Sequence, residues 1–151
     1  MAESHLILPD YTPAAKIYYI EAPEIQTGDT YYFVTDSGLK YQVRFGKKRD
    51  NYLGNIVNFS VLSEEFEDEY SETNRGEVYR IIATVIEIVR LYHSCHIHSD
   101  TYEFTGEFKD NKDKQESSIR TRLYFRYAKM ILSPEWEAHL EGNKVIVKKT
   151  I

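Results

Sequence analysis

The chain has 151 residues, of which 42% are hydrophobic and 28% are charged, and its formal net charge is −5 at pH 7. This composition is typical of a soluble globular domain, and the negative balance argues against a general nucleic-acid binder, which needs a basic face. The one cysteine, Cys95, excludes an internal disulfide and favours a reducing compartment. No apolar stretch is long enough to span a membrane and the N-terminus lacks a signal-peptide pattern, so we expect a cytoplasmic protein.

The first half of the chain predicts an N-terminal arm over residues 1–14 and then the strands of a single α+β domain, residues 15–151. Short runs rich in β-branched and aromatic residues are bounded by proline, glycine and polar clusters, as strands are. The second and third runs flank a glycine-containing turn and predict a hairpin. The predicted strands span residues 16–20, 31–35, 40–45 and 55–62.

The second half predicts two helices among further strands. Asn74 and Glu77 form a capping box, and the apolar positions of helix 78–93 cover most of its circumference, so this helix should be the most buried element. Ser117 or Ser118 caps a second helix that ends before Pro134. Strands are predicted over 101–108, 136–140 and 144–148. The order ββββαβαββ indicates a mixed, mostly antiparallel sheet of six to seven strands packed by two main helices.

The two helix starts carry a family resemblance. The sequences Asn74-Arg75-Gly76-Glu77, Ala83-Thr84-Val85 and Arg120-Thr121-Arg122-Leu123-Tyr124 resemble a family of small uncharacterised α+β proteins of Bacteroidetes and tailed bacteriophages. The resemblance covers residues 31–148. It implies a fold and a genomic setting and does not imply an activity.

The strand and helix order also looks like the second half of an N-acetyltransferase (GNAT) fold. In that fold a loop with repeated glycines before a helix cradles the pyrophosphate of coenzyme A. The matching loop, residues 72–77, has one glycine, Gly76, and an acid at each end, Glu72 and Glu77. A degenerate acyltransferase that uses acetyl-CoA is therefore the enzymatic alternative.

Arginines at the two helix starts predict an anion-binding site. Guanidinium groups match phosphate and carboxylate, and free backbone N–H groups at a helix N-terminus favour negative charge. The competing interpretations are a plain capping turn at the first helix and a solvated basic face on the second, paired to Glu103, Glu107 or Glu77. The candidate ligand-binding residues are Arg75, Gly76, Arg80, Arg120, Arg122 and Tyr124.

Polar groups along both helices have further interpretations. Arg122, Arg126 and Lys129 share one face of the second helix, because they follow at i, i+4 and i+7. Thr84 and Glu87 lie on an otherwise apolar helix and need partners, for which Arg120 or Arg122 are the simplest candidates.

Two segments invite a specific function. The run from His93 to His98, with Cys95 and His96, contains zinc-type ligands, but its spacing matches no common site and no fourth ligand is evident, so we predict no metal and no cofactor. The acidic run 64–72 is typical of a solvated loop. Alternatively, it could mimic nucleic-acid phosphates or bind a host protein.

No nucleophile–base pair or catalytic motif is present. We therefore expect a non-catalytic binding or interaction module that recognises a small anionic ligand or a protein partner, with no membrane association. A phage-encoded protein that binds a host partner through residues 64–72 is a further alternative, and a homodimer is also compatible with the sequence.

Overall fold

The computed structural model describes residues 6, 17–25, 27–61, 75–105, 119–142 and 144–150. Within these residues, six strands form one mixed sheet with the strand order β1-β2-β3-β4-β6-β5, and two helices complete an α+β fold. The elements are β1 (Thr30–Val34), β2 (Lys40–Lys47), β3 (Gly54–Val61), α1 (Arg75–Cys95), β4 (Thr101–Thr105), α2 (Ile119–Ile131), β5 (Trp136–Glu141) and β6 (Lys144–Lys149). The predicted fold class is confirmed. The acidic run 64–72, both predicted helix caps and Phe108 lie outside the described residues.

The chain divides into two compact units that interleave along the sequence. The α1 unit contains the described residues of 17–45, 58–61 and 75–96. The α2 unit contains Leu6 and the described residues of 46–57 and 97–150. The expected division into an arm and one domain stays a prediction.

In the α1 unit, a β-hairpin and the buried helix α1 form one core. Strands β1 and β2 pair antiparallel, with Tyr31 opposite Val43, and Gly38 provides the turn with a positive φ of 91° that L-residues rarely adopt. Every residue from Ile81 to Ile86 is buried, as the apolar circumference of the helix predicts. The Tyr92 ring stacks on the Phe45 ring with centroids 3.9 Å apart. No helix among the described residues is long and apolar enough to cross a bilayer.

The strand predicted over residues 16–20 is wrong. Residues 17–20 adopt no regular structure, because the backbone N–H of Tyr18 donates to the Thr84 hydroxyl at 3.0 Å and not to a neighbouring strand. The nearest ladder contact is a single antiparallel bridge between Glu21 and Tyr32. Tyr18 is the buried residue of this segment and stacks on Phe33 with centroids 5.8 Å apart, whereas Tyr19 is 85% exposed.

In the α2 unit, one parallel strand pair extends into an antiparallel hairpin. β3 pairs parallel with β4, β4 pairs antiparallel with β6, and β6 pairs antiparallel with β5. Opposite charges face each other across the hairpin at Glu137–Lys148 and Glu141–Lys144, an arrangement that stabilises strand pairs. Helix α2 packs on β5 and β6 and thereby places its outer face at the surface.

Candidate functional site

Arg80, a predicted site residue of α1, contacts both Tyr18 and Asp36. Its guanidinium lies over the ring of Tyr18, 3.9 Å from the centroid, and forms an ion pair with Asp36 in the β1–β2 turn. The Arg80 side chain is 24% exposed, whereas that of Asp36 is 71% exposed. A cation over an aromatic face gains favourable electrostatic energy, so these contacts orient Arg80 within the α1 unit. The backbone of Arg75 and Gly76 begins α1.

The two polar residues that follow Arg80 on α1 find their partners locally. Thr84, which is fully buried, donates its hydroxyl to the carbonyl of Arg80 at 2.7 Å and accepts from Tyr18. Glu87 accepts two bonds from the Arg90 side chain one turn later. The expected partners were arginines of the second helix, but the described hydrogen bonds stay within the α1 unit.

Tyr124, a predicted ligand-binding residue, is part of the α2 core. Its side chain is only 3% exposed, and its ring stacks on Phe104 of β4 with centroids 6.2 Å apart. The residues on the same side of the helix, Thr121 and Ala128, are buried as well. Tyr124 therefore anchors α2 against β4.

The opposite side of α2 carries three exposed cations, Arg122, Arg126 and Lys129, which we call the basic row. Positions i, i+4 and i+7 lie on one helix face, so these side chains project together. Within the described residues, no ion pair includes any member of the row. The row is therefore a local concentration of positive charge on a chain whose net charge is −5.

The helix itself offers no neutralising charge to the basic row. Ile119–Ile131 contains four cations and no acidic residue. The fourth cation, Arg120, lies in the first turn of the helix and is not counted in the row. The basic row is thus a face of three cations, which includes one of the predicted arginines, Arg122.

Two apolar side chains border the basic row. Phe125 is half-buried on one side, and the Lys129 ammonium lies 5.2 Å from the centre of its ring. Met130, on the other side, is 70% exposed. The Lys129–Phe125 contact orients the lysine by a cation–π interaction, and Met130 offers an adaptable apolar surface beside the charges.

Glu103, which the sequence offers as a partner for the arginines, is already engaged. Its carboxylate pairs with Lys48 at 2.9 Å, and both side chains are largely covered, with exposed fractions of 14% and 22%. The hydrogen bond from Lys48 to Glu103 raises the pKa of the lysine above its ordinary value. Asn51 of the same loop donates to Asp100 at 2.9 Å. These contacts join the loop before β3 to the start of β4.

The histidine-bearing end of α1 is a packed cluster. His93 is buried, and His96 stacks on Tyr92 with centroids 3.9 Å apart. Burial raises the pKa of Tyr31 and of Tyr92, and Cys95 adds to the effect at Tyr31. Among the described residues, no group of three or more His, Cys, Asp or Glu side chains could hold a metal ion.

The structure therefore distributes the predicted site residues between the two units. Arg75, Gly76 and Arg80 belong to the α1 unit, where Arg80 meets Tyr18 and Asp36. Arg120, Arg122 and Tyr124 belong to the α2 unit, where Tyr124 is core and Arg122 is surface. Sequence reasoning left Lys129 and Arg126 out of the site, although their i+7 and i+4 spacing from Arg122 is the signal that finds them.

Comparisons with protein-family models, with curated proteins and with solved structures gave no match to this chain.

Proposed function

We propose that this protein is a non-catalytic binding module that takes a phosphate-bearing anion on the basic row of α2. One observation carries the proposal: Arg122, Arg126 and Lys129 are exposed on one helix face, without an ion pair among the described residues. Of the acids predicted as partners for the arginines, Glu103 is committed to Lys48, and Glu107 lies outside the described residues. The family resemblance, the phage setting and the cytoplasmic location belong to this proposal as expectations.

The energetics of the row favour an external anion. Like charges at i and i+4 destabilise a helix by about 0.2–0.5 kcal/mol per pair, and a bound anion relieves this repulsion. Guanidinium forks bind phosphate oxygens through two parallel hydrogen bonds, which gives directional recognition as well as charge. Lys129 adds a third cation beside the two guanidinium groups, and its contact with the Phe125 ring orients it.

The core of α2 makes the row a rigid platform. Thr121, Tyr124 and Ala128 are buried under the opposite side of the helix, and α2 packs on β5 and β6. A ligand that binds the row therefore meets side chains on a backbone that is already ordered. This preorganisation lowers the entropic cost of binding.

The proposal is tested by thermal unfolding with tripolyphosphate in a low-salt buffer. A ligand at ten times its Kd stabilises the native state by about 1.4 kcal/mol, which for a chain of this size raises Tm by roughly 3–5 °C. The variant Arg122→Gln/Arg126→Gln/Lys129→Gln should have a Tm equal to or slightly above that of wild type, because the like-charge repulsion is removed, and should lose the ligand-induced rise. The control Lys40→Gln/Arg44→Gln/Lys148→Gln removes the same charge from other exposed positions and should retain the rise.

Equal stabilisation of both triple variants by tripolyphosphate would contradict the proposal, because the anion would then bind elsewhere. Acetyl-CoA serves as the second ligand. Stabilisation by acetyl-CoA in the absence of any response to tripolyphosphate would favour the acyltransferase alternative. The interaction-protein alternative predicts instead a complex that is lost when residues 64–72 are deleted.

A further inference from the structure

The basic row has the geometry of a contact to a linear polyanion. Lys129 lies seven positions after Arg122, so the row extends for about 10.5 Å along the helix axis. A nucleic-acid strand carries one phosphate per about 3.4 Å of duplex axis. The row therefore spans the axial rise of about three phosphates of one strand, whereas a single phosphate group would leave part of it unused.

We infer that the ligand of the basic row is the phosphodiester backbone of nucleic acid, bound without sequence specificity; this inference rests on the proposed function of the row. Helix Ile119–Ile131 carries cations for phosphate oxygens and has no acidic residue of its own that would repel a backbone. Met130 and Phe125 border the row with apolar surface, which suits sugar carbons beside the phosphates.

The inferred contacts of α2 are to phosphates and not to base edges. Asn and Gln side chains, which pair with adenine edges, are absent from Ile119–Ile131. Contacts to phosphates position a protein on nucleic acid and carry no sequence information. The net charge of −5 opposes association at long range, so binding rests on the local row and weakens quickly as salt screens it.

The number of cations sets a quantitative expectation. Neutralising three phosphates of duplex DNA releases counterions so that log Kobs falls with log[salt] with a slope of about −2.7. Removing one cation of the row should reduce the magnitude of that slope by about 0.9. Tripolyphosphate is a short chain of three linked phosphates and cannot extend beyond the row. Only a longer polyanion should bind more tightly as its length increases.

The experiment measures fluorescence anisotropy of a labelled 20-base-pair DNA duplex between 25 and 150 mM KCl. Wild type should bind with a slope near −2.7, and a second duplex of scrambled sequence should bind equally well. Arg126→Gln should reduce the slope magnitude by about one third. Arg126→Lys, which retains the charge, should preserve it, and the triple control at Lys40, Arg44 and Lys148 should also preserve it.

Four results would overturn the inference. If tripolyphosphate stabilises the protein through the row and the duplex does not bind, the nucleic-acid ligand is wrong while the anion-binding function stands. If polyglutamate of equal charge competes better than unlabelled duplex, the row binds an acidic protein segment. If the slope survives Arg122→Gln/Arg126→Gln/Lys129→Gln, DNA binds elsewhere. If wild type responds neither to tripolyphosphate nor to the duplex, the proposed function and this inference are both wrong.

Discussion

The backbone N–H of Tyr18 donates a hydrogen bond of 3.0 Å to the hydroxyl of Thr84, 66 residues further along the chain. Thr84 is also a donor: its own hydroxyl donates to the carbonyl of Arg80 at 2.7 Å. The same Arg80 places its guanidinium over the Tyr18 ring. Three residues thus tie the segment before β1 to one side of α1.

Replacing Thr84 by valine should destabilise the protein by about 1–3 kcal/mol, because a shape-conserving change leaves the buried Tyr18 N–H without an acceptor. For a chain of this size, Tm should fall by roughly 2–4 °C per kcal/mol. Thermal unfolding gives the stability change, and hydrogen exchange should show that the Tyr18 amide has lost its protection. Thr84→Ser keeps the hydroxyl and should keep the protection. Unchanged exchange in the valine variant would mean that the bond contributes nothing.

Replacing Ile82 by aspartate should abolish folding, because Ile82 is 1% exposed and an unpaired buried carboxylate costs several kcal/mol. Tyr79 on the same helix is 50% exposed, and Tyr79→Asp is the matched control that should fold normally. Circular dichroism and urea unfolding distinguish the two variants. A cooperatively unfolding Ile82→Asp protein would show that this side of α1 is not in the core.

The sequence predicts the regular elements well because each depends on local periodicity. The apolar positions of α1 and the alternation in β2 and β4 persist in the fold. The missing strand at residues 16–20 shows the limit of such patterns. The apolar run there is consistent with a strand, but the acceptor for its backbone comes from Thr84 on α1, and no local pattern encodes a partner so distant in sequence.

The Lys48–Glu103 pair should stabilise the protein up to alkaline pH. Because the folded state raises the pKa of Lys48 above its ordinary value of 10.5, the contribution is fully present below that value and is lost as pH rises through the higher folded pKa. Urea unfolding of wild type and Lys48→Met between pH 8 and 12 should give a stability difference that is constant and then shrinks.

Burial of Tyr31 and Tyr92 also raises their pKa and lowers stability at high pH. Both proteins in that comparison share this effect, so it cancels in the difference. A difference that grows above pH 10.5 would contradict the assigned sign of the Lys48 shift.

Replacing Tyr124 by alanine should cost about 3–5 kcal/mol of stability, as truncation of a buried aromatic residue does. Where the variant remains folded, its response to tripolyphosphate should match that of wild type once the lower starting Tm is subtracted. Arg122→Gln, at an exposed position, should show the reverse: an unchanged Tm and a weaker ligand response. A selective loss of the tripolyphosphate response in Tyr124→Ala would show that Tyr124 belongs to the binding site.

The site was less accessible to sequence reasoning than the fold. Tyrosine serves equally well in cores and at binding surfaces, so the role of Tyr124 depends on Phe104, its partner from another strand. Ion pairs are similarly non-local, since Glu103 is occupied by Lys48, 55 residues away. Helical spacing, by contrast, places Arg122, Arg126 and Lys129 on one face without knowledge of any neighbour.

The most direct test of anion binding at α2 is an NMR titration of the 15N-labelled protein with tripolyphosphate at low salt. Anion binding at the basic row should concentrate amide and side-chain shift changes in α2 around Arg122, Arg126 and Lys129, and these changes should vanish in the triple glutamine variant. Shifts concentrated at the start of α1, from Arg75 to Arg80, would contradict it and locate the anion site at the other helix.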